Sequence, residues 1–284
     1  MTKQLLSKIE GCYSSMSKGH KRIADYITEN YDKAAFMTAA KLGDTVGVSE
    51  STVVRFASEL GFSGYPQLQK ALQEVVKSRL TSVQRMEAAG GEDMLEHAFS
   101  SDIETIKVTR ESISREAFNA SVEAINRAKH IYVLGVRSAA SLASFAAFYL
   151  NFVYDSVTLI EPAGTGEAFD QAFRINKDDV CIAISFPRYS KQTINMLRFI
   201  SDRGATVISV TDSENSPIAQ FATHLLLARS SMVSFVDSLV APMSLINALI
   251  AAAASEKSGE VYSNPSSLEN IWDEYQIYQT HEDE

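Results

Sequence analysis

The stretch from Gly47 to Phe62, GVSESTVVRFASELGF, decides the fold of the first part of this chain. Its apolar side chains recur at the i, i+3, i+4, i+7 spacing that one face of a helix produces, namely at Val53, Phe56, Ala57 and Leu60. Ser49 precedes this run as a favoured N-cap residue, and Gly61 follows it as a favoured helix terminator. The sequence therefore predicts a helix over Glu50–Leu60 with one buried face.

The opposite face of this helix carries short hydroxyl side chains and a single arginine: Ser51, Thr52, Arg55, Ser58 and Glu59. Short side chains let the backbone approach a DNA groove, and an arginine can form two hydrogen bonds with guanine. A short helix capped by Thr38 and ended by Val46-Gly47 precedes it, which is the spacing of a helix–turn–helix. A plain helical hairpin would explain the packing, but not the hydroxyl-rich face or the basic flanks at Lys18, Lys21, Arg22 and Lys41.

Charge is distributed unevenly along the 284 residues. The whole chain carries a net charge of −9, which taken alone argues against a nucleic-acid binder. Residues 1–86 carry +4, however, and residues 87–284 carry −13. A mildly basic first third on an acidic body fits a DNA-reading domain attached to a second domain with another task.

Cysteine content and hydropathy favour a cytoplasmic protein. The two cysteines, Cys12 and Cys181, are far apart in the chain and show no metal-binding spacing. The N-terminus lacks the long apolar run of a signal peptide. The most apolar stretch, Leu239–Ala254, is short for a membrane span. We therefore expect no membrane association, no bound metal and no cofactor.

The second part of the chain alternates strands with helices. Five short apolar runs rich in β-branched residues read as strands: HIYVLG, SVTLIE, DVCIAIS, ATVISVT and THLLLA. Helical patterns separate them, at Ser138–Phe152, Glu167–Arg174, Lys191–Arg203 and Ser216–Phe221. Such alternation predicts an α/β fold with a five-stranded parallel sheet flanked by helices. Helical patterns also cover Leu95–Lys129, broken near Ser112–Arg115, and Pro242–Ala254.

These patterns divide the chain into four segments. Residues 1–80 form an all-α helix–turn–helix domain, and residues 81–94, which are polar and contain Gly90-Gly91, form a linker. Residues 95–258 form the α/β domain, and residues 259–284 form a tail with an aromatic helix around Trp272.

Positive charge and hydroxyls gather where the predicted strands end. Ligands of open α/β sheets bind beyond the carboxyl ends of the strands, and loops that open helices offer N–H groups to anions. Arg137-Ser138 follows the first strand, and SFPRYSKQT, from Ser185 to Thr193, follows the third. Ordinary helix capping would also place serines here, but the arginines favour a small anionic ligand.

The segment TAAKLGDTVGVSESTVVRFASELGFSGYPQLQKAL, residues 38–72, resembles the helix–turn–helix of the RpiR/MurR family of bacterial transcriptional regulators. The run S-x-x-T-V-V-R-F followed by L-G-F-x-G-Y-x-x-L carries the resemblance, from Ser49 to Leu68. Gly43 departs from the family's usual alanine, and a glycine inside a helix costs about 1 kcal/mol. We assign contacts with double-stranded operator DNA to Lys41, Ser49, Ser51, Thr52, Arg55 and Tyr65.

Residues 105–255 resemble a SIS (sugar isomerase) domain, the usual partner of this helix–turn–helix. The resemblance implies a phosphosugar held by a serine after the first strand and by an S-x-S-G-x-T-like loop after the third. Pro187 and Arg188 replace the middle serine and the glycine of that loop, so the ligand is a phosphosugar or another anion such as a sugar acid. The predicted effector contacts are Arg137, Ser138, Glu167, Ser185, Arg188, Ser190, Lys191 and Thr193.

The combination predicts a ligand-controlled transcriptional regulator, a repressor of carbohydrate metabolism genes, and not an enzyme. Self-association as a dimer or tetramer is expected, with Leu239–Ala254 and the Trp272 tail as candidate interfaces. The alternative is a phosphosugar isomerase with a vestigial helical domain. That reaction needs a proton carrier, for which Glu161, Glu167 and His224 are the candidates by position.

Overall fold

The computed structural model describes residues 5, 8–9, 11–79, 93–161, 165–232, 236–257 and 270–277. The chain splits into two compact units, Met1–Gly91 and Glu92–Glu284, and each is described by itself. Residues 81–92 of the predicted linker, and 259–269 and 278–284 of the predicted tail, lie outside the described residues. No helix within the described ranges is long and apolar enough to cross a membrane.

The first unit is helical. Among its described residues, a 3-10 turn at Tyr13–Ser15 is followed by five helices: α1 Lys18–Glu29, α2 Tyr31–Ala34, α3 Ala39–Val46, α4 Glu50–Glu59 and α5 Tyr65–Arg79. Apolar side chains from four of these helices are fully buried together and include Ile23, Ile27, Leu42, Phe56, Leu68 and Leu72. The buried face of α4 contains Val53, Phe56 and Ala57, as its spacing predicts.

The turn between α3 and α4 depends on two glycines. Gly47 ends α3 in the left-handed conformation, with φ of 71°, which a glycine adopts without strain. Gly43 lies inside α3, where a Cβ would stand 2.7 Å from the carbonyl oxygen of Val48. Its own carbonyl accepts the Val48 N–H at 2.8 Å. The sequence marks Gly43 as a weak point of the helix, whereas the structure shows that the absent side chain lets the turn pack closely on α3.

The second unit begins with two helices and continues into a parallel sheet. Helix α6 (Met94–Ser112) ends where the sequence predicts a break, and Ser114 caps α7 (Arg115–Arg127) by accepting the Ala117 N–H at 3.1 Å. The remaining elements, in chain order, are β1 Ile131–Gly135, α8 Ala139–Val153, β2 Val157–Ile160, α9 Thr165–Ala172, β3 Val180–Ile184, α10 Lys191–Asp202, β4 Thr206–Thr211, β5 His224–Leu227, β6 Ser231–Met232, β7 Asp237–Ser238 and α11 Val240–Glu256.

The five long strands form one sheet in the order β2-β1-β3-β4-β5, and every neighbouring pair is parallel. Alternate side chains of β1 serve opposite faces. Ile131 and Val133 pack in one core with α7, α8 and α11, while Tyr132 and Leu134 pack in the other with α9 and α10. The strand order reverses between β1 and β3, and this switch point is where open α/β sheets bind ligands.

Two parts of the second unit differ from the sequence prediction. The predicted helix over Ser216–Phe221 is a 3-10 turn at Ala219–Phe221. Residues 229–239 received no assignment, but in the structure β6 and β7 pair as a small antiparallel hairpin, with Ser231 opposite Ser238. Two-residue strands carry too little apolar periodicity to be recognised.

Most of the apolar surface of α11 is used inside the unit. Its buried side chains pack on the sheet and include Ala241, Leu245, Ile246, Leu249 and Ala253. This packing accounts for the apolar run at 239–254 without a subunit interface. Large apolar side chains are exposed instead on α6 and α8, at Leu95, Phe99, Ile103, Phe148 and Tyr149.

Candidate DNA-binding and effector sites

A group of three hydroxyls lies at the N-terminus of α4. Ser49 caps the helix by accepting the Thr52 N–H at 3.3 Å, and its Oγ lies 2.9 Å from Ser51 Oγ and 2.8 Å from Thr52 Oγ1. The first N–H groups of a helix have no partners within it, and together with the helix dipole they attract anions. The three hydroxyls and the free N–H groups at the start of α4 therefore offer a binding site for a DNA phosphate.

Arg55 projects from the exposed face of α4. Its Nε donates a hydrogen bond to the carbonyl oxygen of Ser51 at 3.3 Å, which directs the guanidinium toward the N-terminal half of the helix. The same face exposes Val54, whose side chain is 40% accessible and which the sequence analysis does not single out. A guanidinium reads guanine and an apolar side chain contacts the thymine methyl group, so this face combines two ways of reading base edges.

The acidic residue of this face is engaged elsewhere. Glu59 Oε2 lies 2.6 Å from His20 Nδ1, and the His20 ring packs edge-on against Phe56. This contact holds the carboxylate at the end of α4 and ties it to α1. Basic residues flank the other end: Lys18 and Lys41 are exposed, and Arg22 Nη1 lies over the turn at Gly47.

Tyr65 does not have the exposure that the predicted DNA contact requires. Its side chain is only 4% accessible, and its hydroxyl donates a hydrogen bond to the carbonyl oxygen of Met37 at 2.7 Å. Gln69 Nε2 donates to the same oxygen at 2.9 Å. Burial raises the pKa of Tyr65 to about 12. Tyr65 therefore supports the loop before α3, and its assignment as a DNA contact is wrong.

Replacing Tyr65 with phenylalanine tests this correction. We expect the free energy of unfolding of the first unit to fall by about 0.5–1.5 kcal/mol, the usual contribution of one buried hydrogen bond, with DNA affinity unchanged. Because the folded pKa of about 12 exceeds the ordinary value of 10.0, the tyrosine's contribution is complete below pH 10 and is lost as the pH rises toward 12. Urea unfolding followed by circular dichroism should show a larger alkaline loss of stability in the wild type than in Tyr65→Phe. A drop in DNA affinity would restore the original assignment.

A cavity of about 180 Å³ opens at the switch point of the sheet. The loop after β1 and the loop after β3 form most of its wall: Val136, Arg137, Ser138, Ala139, Ser185, Phe186, Pro187, Arg188 and Ser190. Helix α8 starts very close to the end of β1, since a Cβ on Gly135 would stand 2.6 Å from the carbonyl oxygen of Ala139. Glycine at this position lets the start of α8 face the cavity.

Two of the cavity's hydroxyls have no hydrogen-bond partner among the described residues. Ser138 precedes α8 without capping it, and Ser185 is almost buried at the end of β3. Ser190 differs, because its Oγ accepts the Gln192 N–H at 3.2 Å and so caps α10. Unpartnered hydroxyls and the starts of two helices, facing one small space, suit a ligand with several anionic oxygens.

Both arginines of the cavity have left-handed backbones, with φ of 58° at Arg137 and 68° at Arg188. Residues other than glycine adopt this conformation rarely, and such strain concentrates at binding sites. Arg188 stands where the sugar isomerase loop pattern has a glycine, and its φ lies in the region that glycine favours. The loop thus keeps the glycine conformation while carrying a guanidinium to the cavity.

Comparing Arg188→Gly with Arg188→Ala measures this strain. A left-handed conformation costs a side-chain-bearing residue about 1–2 kcal/mol relative to glycine, so we expect the glycine variant to be the more stable by about 1 kcal/mol. Urea unfolding can be followed by the fluorescence of Trp272, the only tryptophan, which lies edge-on to Phe152 in the second unit. Equal or greater stability of the alanine variant would contradict the left-handed assignment.

Three predicted effector residues are not among those that line the cavity: Glu167, Lys191 and Thr193. Glu167 and Lys191 are exposed at the starts of α9 and α10, and Thr193 is fully buried with its Oγ1 unpartnered. His224 begins β5 and lines a separate cleft with Lys129 and Asp179, at the opposite ends of the strands. One charged residue that lines the cavity was not among the predicted contacts, namely Asp237 of β7.

The two units define a class of protein: a DNA-reading helix–turn–helix joined to a ligand-binding α/β domain. Comparison with protein families places residues 3–79 in the helix-turn-helix domain of the rpiR family and residues 124–252 in the SIS domain. The chain therefore belongs to the RpiR family of transcriptional regulators, and it is a helix–turn–helix transcriptional regulator with a SIS domain.

Individual relatives agree with this family. An uncharacterized HTH-type transcriptional regulator of Haemophilus influenzae is 26% identical over 78% of this chain and 79% of its own length. The HTH-type transcriptional regulator HexR of Pseudomonas aeruginosa is 25% identical over 79% of this chain and 78% of its own.

Two solved structures are similar in fold. The sugar isomerase domain of an RpiR transcription factor from Sphaerobacter thermophilus is 29% identical, with a TM-score of 0.57 over 61% of this chain and 96% of that chain. The Vibrio vulnificus NanR protein complexed with ManNAc-6P is 23% identical, with a TM-score of 0.60 over 97% of this chain and 100% of that chain.

Proposed function

We propose that this regulator is a repressor of carbohydrate metabolism genes and that a phosphosugar, or a related anionic sugar derivative such as a sugar acid, controls its DNA binding. The cavity at the β1/β3 switch point carries the proposal. It combines Arg137 and Arg188 with the unpartnered hydroxyls of Ser138 and Ser185. A phosphate would accept hydrogen bonds from these groups and from the N–H groups that open the following helices.

The similar fold of the NanR protein complexed with ManNAc-6P supports the phosphosugar class of ligand. In this chain Pro187 removes one hydroxyl from the loop after β3, and Arg188 adds a guanidinium. The planar guanidinium matches the geometry of both phosphate and carboxylate groups and can form two hydrogen bonds with either. The substitution therefore admits sugar acids as well as sugar phosphates.

We further propose that the protein acts in the cytoplasm as a dimer or a tetramer. One recognition helix reads only a few base pairs, and helix–turn–helix proteins gain specificity by pairing two of them on a palindromic site. The exposed apolar side chains of α8, Phe148 and Tyr149, form a surface that would be buried between copies. Light scattering that finds only a monomer would overturn this part.

Selection of genomic fragments tests the DNA-binding part. Purified protein is incubated with sheared DNA of its own organism, and the retained fragments are sequenced. We expect enrichment of a palindromic operator next to a small set of genes for carbohydrate use. No enrichment, even at low salt where non-specific contacts are strongest, would overturn the proposal. Expression of those genes in a deletion strain then separates repressor from activator.

A panel of sugar phosphates and sugar acids tests the effector part. Each compound, ManNAc-6P included, is titrated into the protein by calorimetry and into its operator complex. We expect at least one compound to bind and to change the affinity for operator DNA. Turnover of a sugar phosphate without operator binding would favour the competing isomerase, for which Asp237 is the one carboxylate among the described lining residues of the cavity.

A further inference from the structure

The β6–β7 hairpin connects the effector cavity with the helix that follows the linker. We propose that Asp237 in this hairpin reads the sugar portion of the effector and that Ser238, the next residue, transmits effector occupancy to α6 through its hydrogen bond to Asp102. The proposal rests on the proposed function, because it assigns an effector-selecting residue and a transmission route to the same cavity.

Asp237 gives the cavity a mixed chemistry. The loops after β1 and β3 supply guanidinium groups, hydroxyls and helix starts, which favour an anion, whereas Asp237 brings a carboxylate to the same space. A carboxylate repels a phosphate but accepts hydrogen bonds from hydroxyl and amine groups. A ligand that satisfies both kinds of group has an anionic end and a hydroxyl- or amine-bearing end. A free inorganic phosphate gains nothing from Asp237.

The hairpin is fastened to α6 at two points. Ser238 Oγ donates a hydrogen bond to Asp102 Oδ1, and the backbone N–H of Arg229, just before β6, donates to Thr109 Oγ1 at 2.9 Å. Asp102 and Thr109 are seven residues apart, about two helical turns, so both lie on one side of α6. Thr109 is nearly buried, and therefore the second contact is shielded from water.

Helix α6 has few other attachments along its first half. Thr109 is the only residue of α6 in the buried class among those described. The first three turns of α6 expose Leu95, Phe99 and Ile103, each at 62–69%. An element with little buried apolar surface moves at low free-energy cost. The second half of α6 packs against α11. The Ser238–Asp102 hydrogen bond therefore acts on the half of α6 that has little other support.

The position of α6 matters because of where it stands in the chain. It begins at Met94, directly after residues 80–92, which connect it to the helix–turn–helix unit. A ligand that draws Asp237 toward the cavity also moves Ser238, because the two residues share a peptide bond. The Ser238–Asp102 hydrogen bond then transfers this displacement to α6 and to the linker. We expect effector binding to act on the DNA-binding unit through this displacement of α6.

Ser238→Ala tests the transmission step in the full-length protein with its captured operator. The probe is the sugar phosphate of the panel that changes wild-type operator affinity most. In the wild type we expect this change to be about 5- to 150-fold, the usual range of coupling between sites. In Ser238→Ala we expect the sugar phosphate to bind within about 3-fold of wild type and the change in operator affinity to fall below about 3-fold.

Two further variants separate transmission from folding. Ser238→Thr keeps the hydroxyl and should restore the response, which a purely structural defect would not do. Ser100→Ala is the matched control, because Ser100 Oγ donates to Glu96 Oε1 at 2.9 Å on the same helix but does not touch the hairpin. A full response in Ser238→Ala overturns the inference and leaves the proposed function intact. If the wild type binds neither a sugar phosphate nor a sugar acid of the panel, the proposed function itself is overturned.

Asp237→Ala tests the selection step by calorimetry with two probes, the same sugar phosphate and inorganic phosphate. We expect the variant to bind the sugar phosphate about 10-fold more weakly and inorganic phosphate as well as, or better than, the wild type does. A loss of one hydrogen bond to a charged group corresponds to an effect of this size. Equal weakening of both probes would mean that Asp237 only shapes the cavity, and it would overturn the selective role.

Discussion

Replacing Arg55 with alanine is expected to weaken operator binding by about 1–3 kcal/mol, which is about 5- to 150-fold in affinity. Arg55 is exposed on α4, and its only hydrogen bond within the described residues joins Nε to the carbonyl oxygen of Ser51. The two terminal nitrogens of the guanidinium can thus donate hydrogen bonds to the O6 and N7 atoms of a guanine. Fluorescence anisotropy with labelled operator, and with operators changed at one base pair at a time, measures the loss.

Specific reading by Arg55 has a signature that a phosphate contact lacks. Arg55→Ala should become indifferent to substitution of one guanine, while Arg22→Ala should bind all sequences more weakly and reduce the slope of affinity against salt by about one. Arg127→Ala serves as the control, since Arg127 is exposed in the second unit and its ion pair within the described part of the chain is with Glu123. An unchanged affinity of Arg55→Ala at several salt concentrations would show that α4 is not the recognition helix.

Sequence reasoning works well for α4 and for the parallel sheet because their signals are local and periodic. The i, i+3, i+4, i+7 spacing at Val53, Phe56 and Ala57 identifies the buried face directly, and the structure buries these residues. The strands are apolar throughout because helices cover both faces of the sheet. Such elements need no knowledge of distant parts of the chain, and their bounds agree with the sequence to within a few residues.

Tyr65 and Gly43 show where local reasoning fails. A tyrosine next to a predicted recognition helix resembles a DNA contact, yet Met37, 28 residues away in the chain, accepts its hydrogen bond and buries it. A glycine inside a helix resembles a defect, yet the carbonyl oxygen of Val48 occupies the space where a Cβ would stand. In both cases the deciding partner comes from tertiary packing, which periodicity does not encode.

The residues that line the proposed effector cavity also fall into a predictable group and an unpredictable one. Arg137, Ser138, Ser185, Arg188 and Ser190 all line it, because the carboxyl ends of β1 and β3 meet at the switch point that strand order defines. Asp237 reaches the cavity from a short hairpin almost 50 residues after the loop that carries Arg188, and no pattern in the sequence marks that hairpin as a strand pair. The residues that the loops after β1 and β3 contribute to the cavity wall were thus predictable, and Asp237 was not.

The double variant Ser138→Ala/Arg188→Ala is expected to abolish the effector response while leaving operator binding intact. Each hydrogen bond to a charged group contributes about 1.5–3 kcal/mol, so removing two from one anion should weaken sugar-phosphate binding on the order of 100-fold or more. The Ser138 hydroxyl caps no helix, so its loss should cost the fold little. Calorimetry with the sugar phosphate, and operator binding with and without it, measure the two effects separately.

A matched double variant shows whether the effect belongs to the cavity. Ser144→Ala/Arg198→Ala removes one exposed hydroxyl from α8 and one exposed arginine from α10, and neither residue lines the cavity. This control should keep the wild-type response, because the helix starts and the loops after β1 and β3 are unchanged. If both double variants lose the response, then the net charge of the domain, and not the cavity, determines whether the ligand binds. If neither loses it, the effector binds elsewhere, and the strained backbones of Arg137 and Arg188 serve the fold alone.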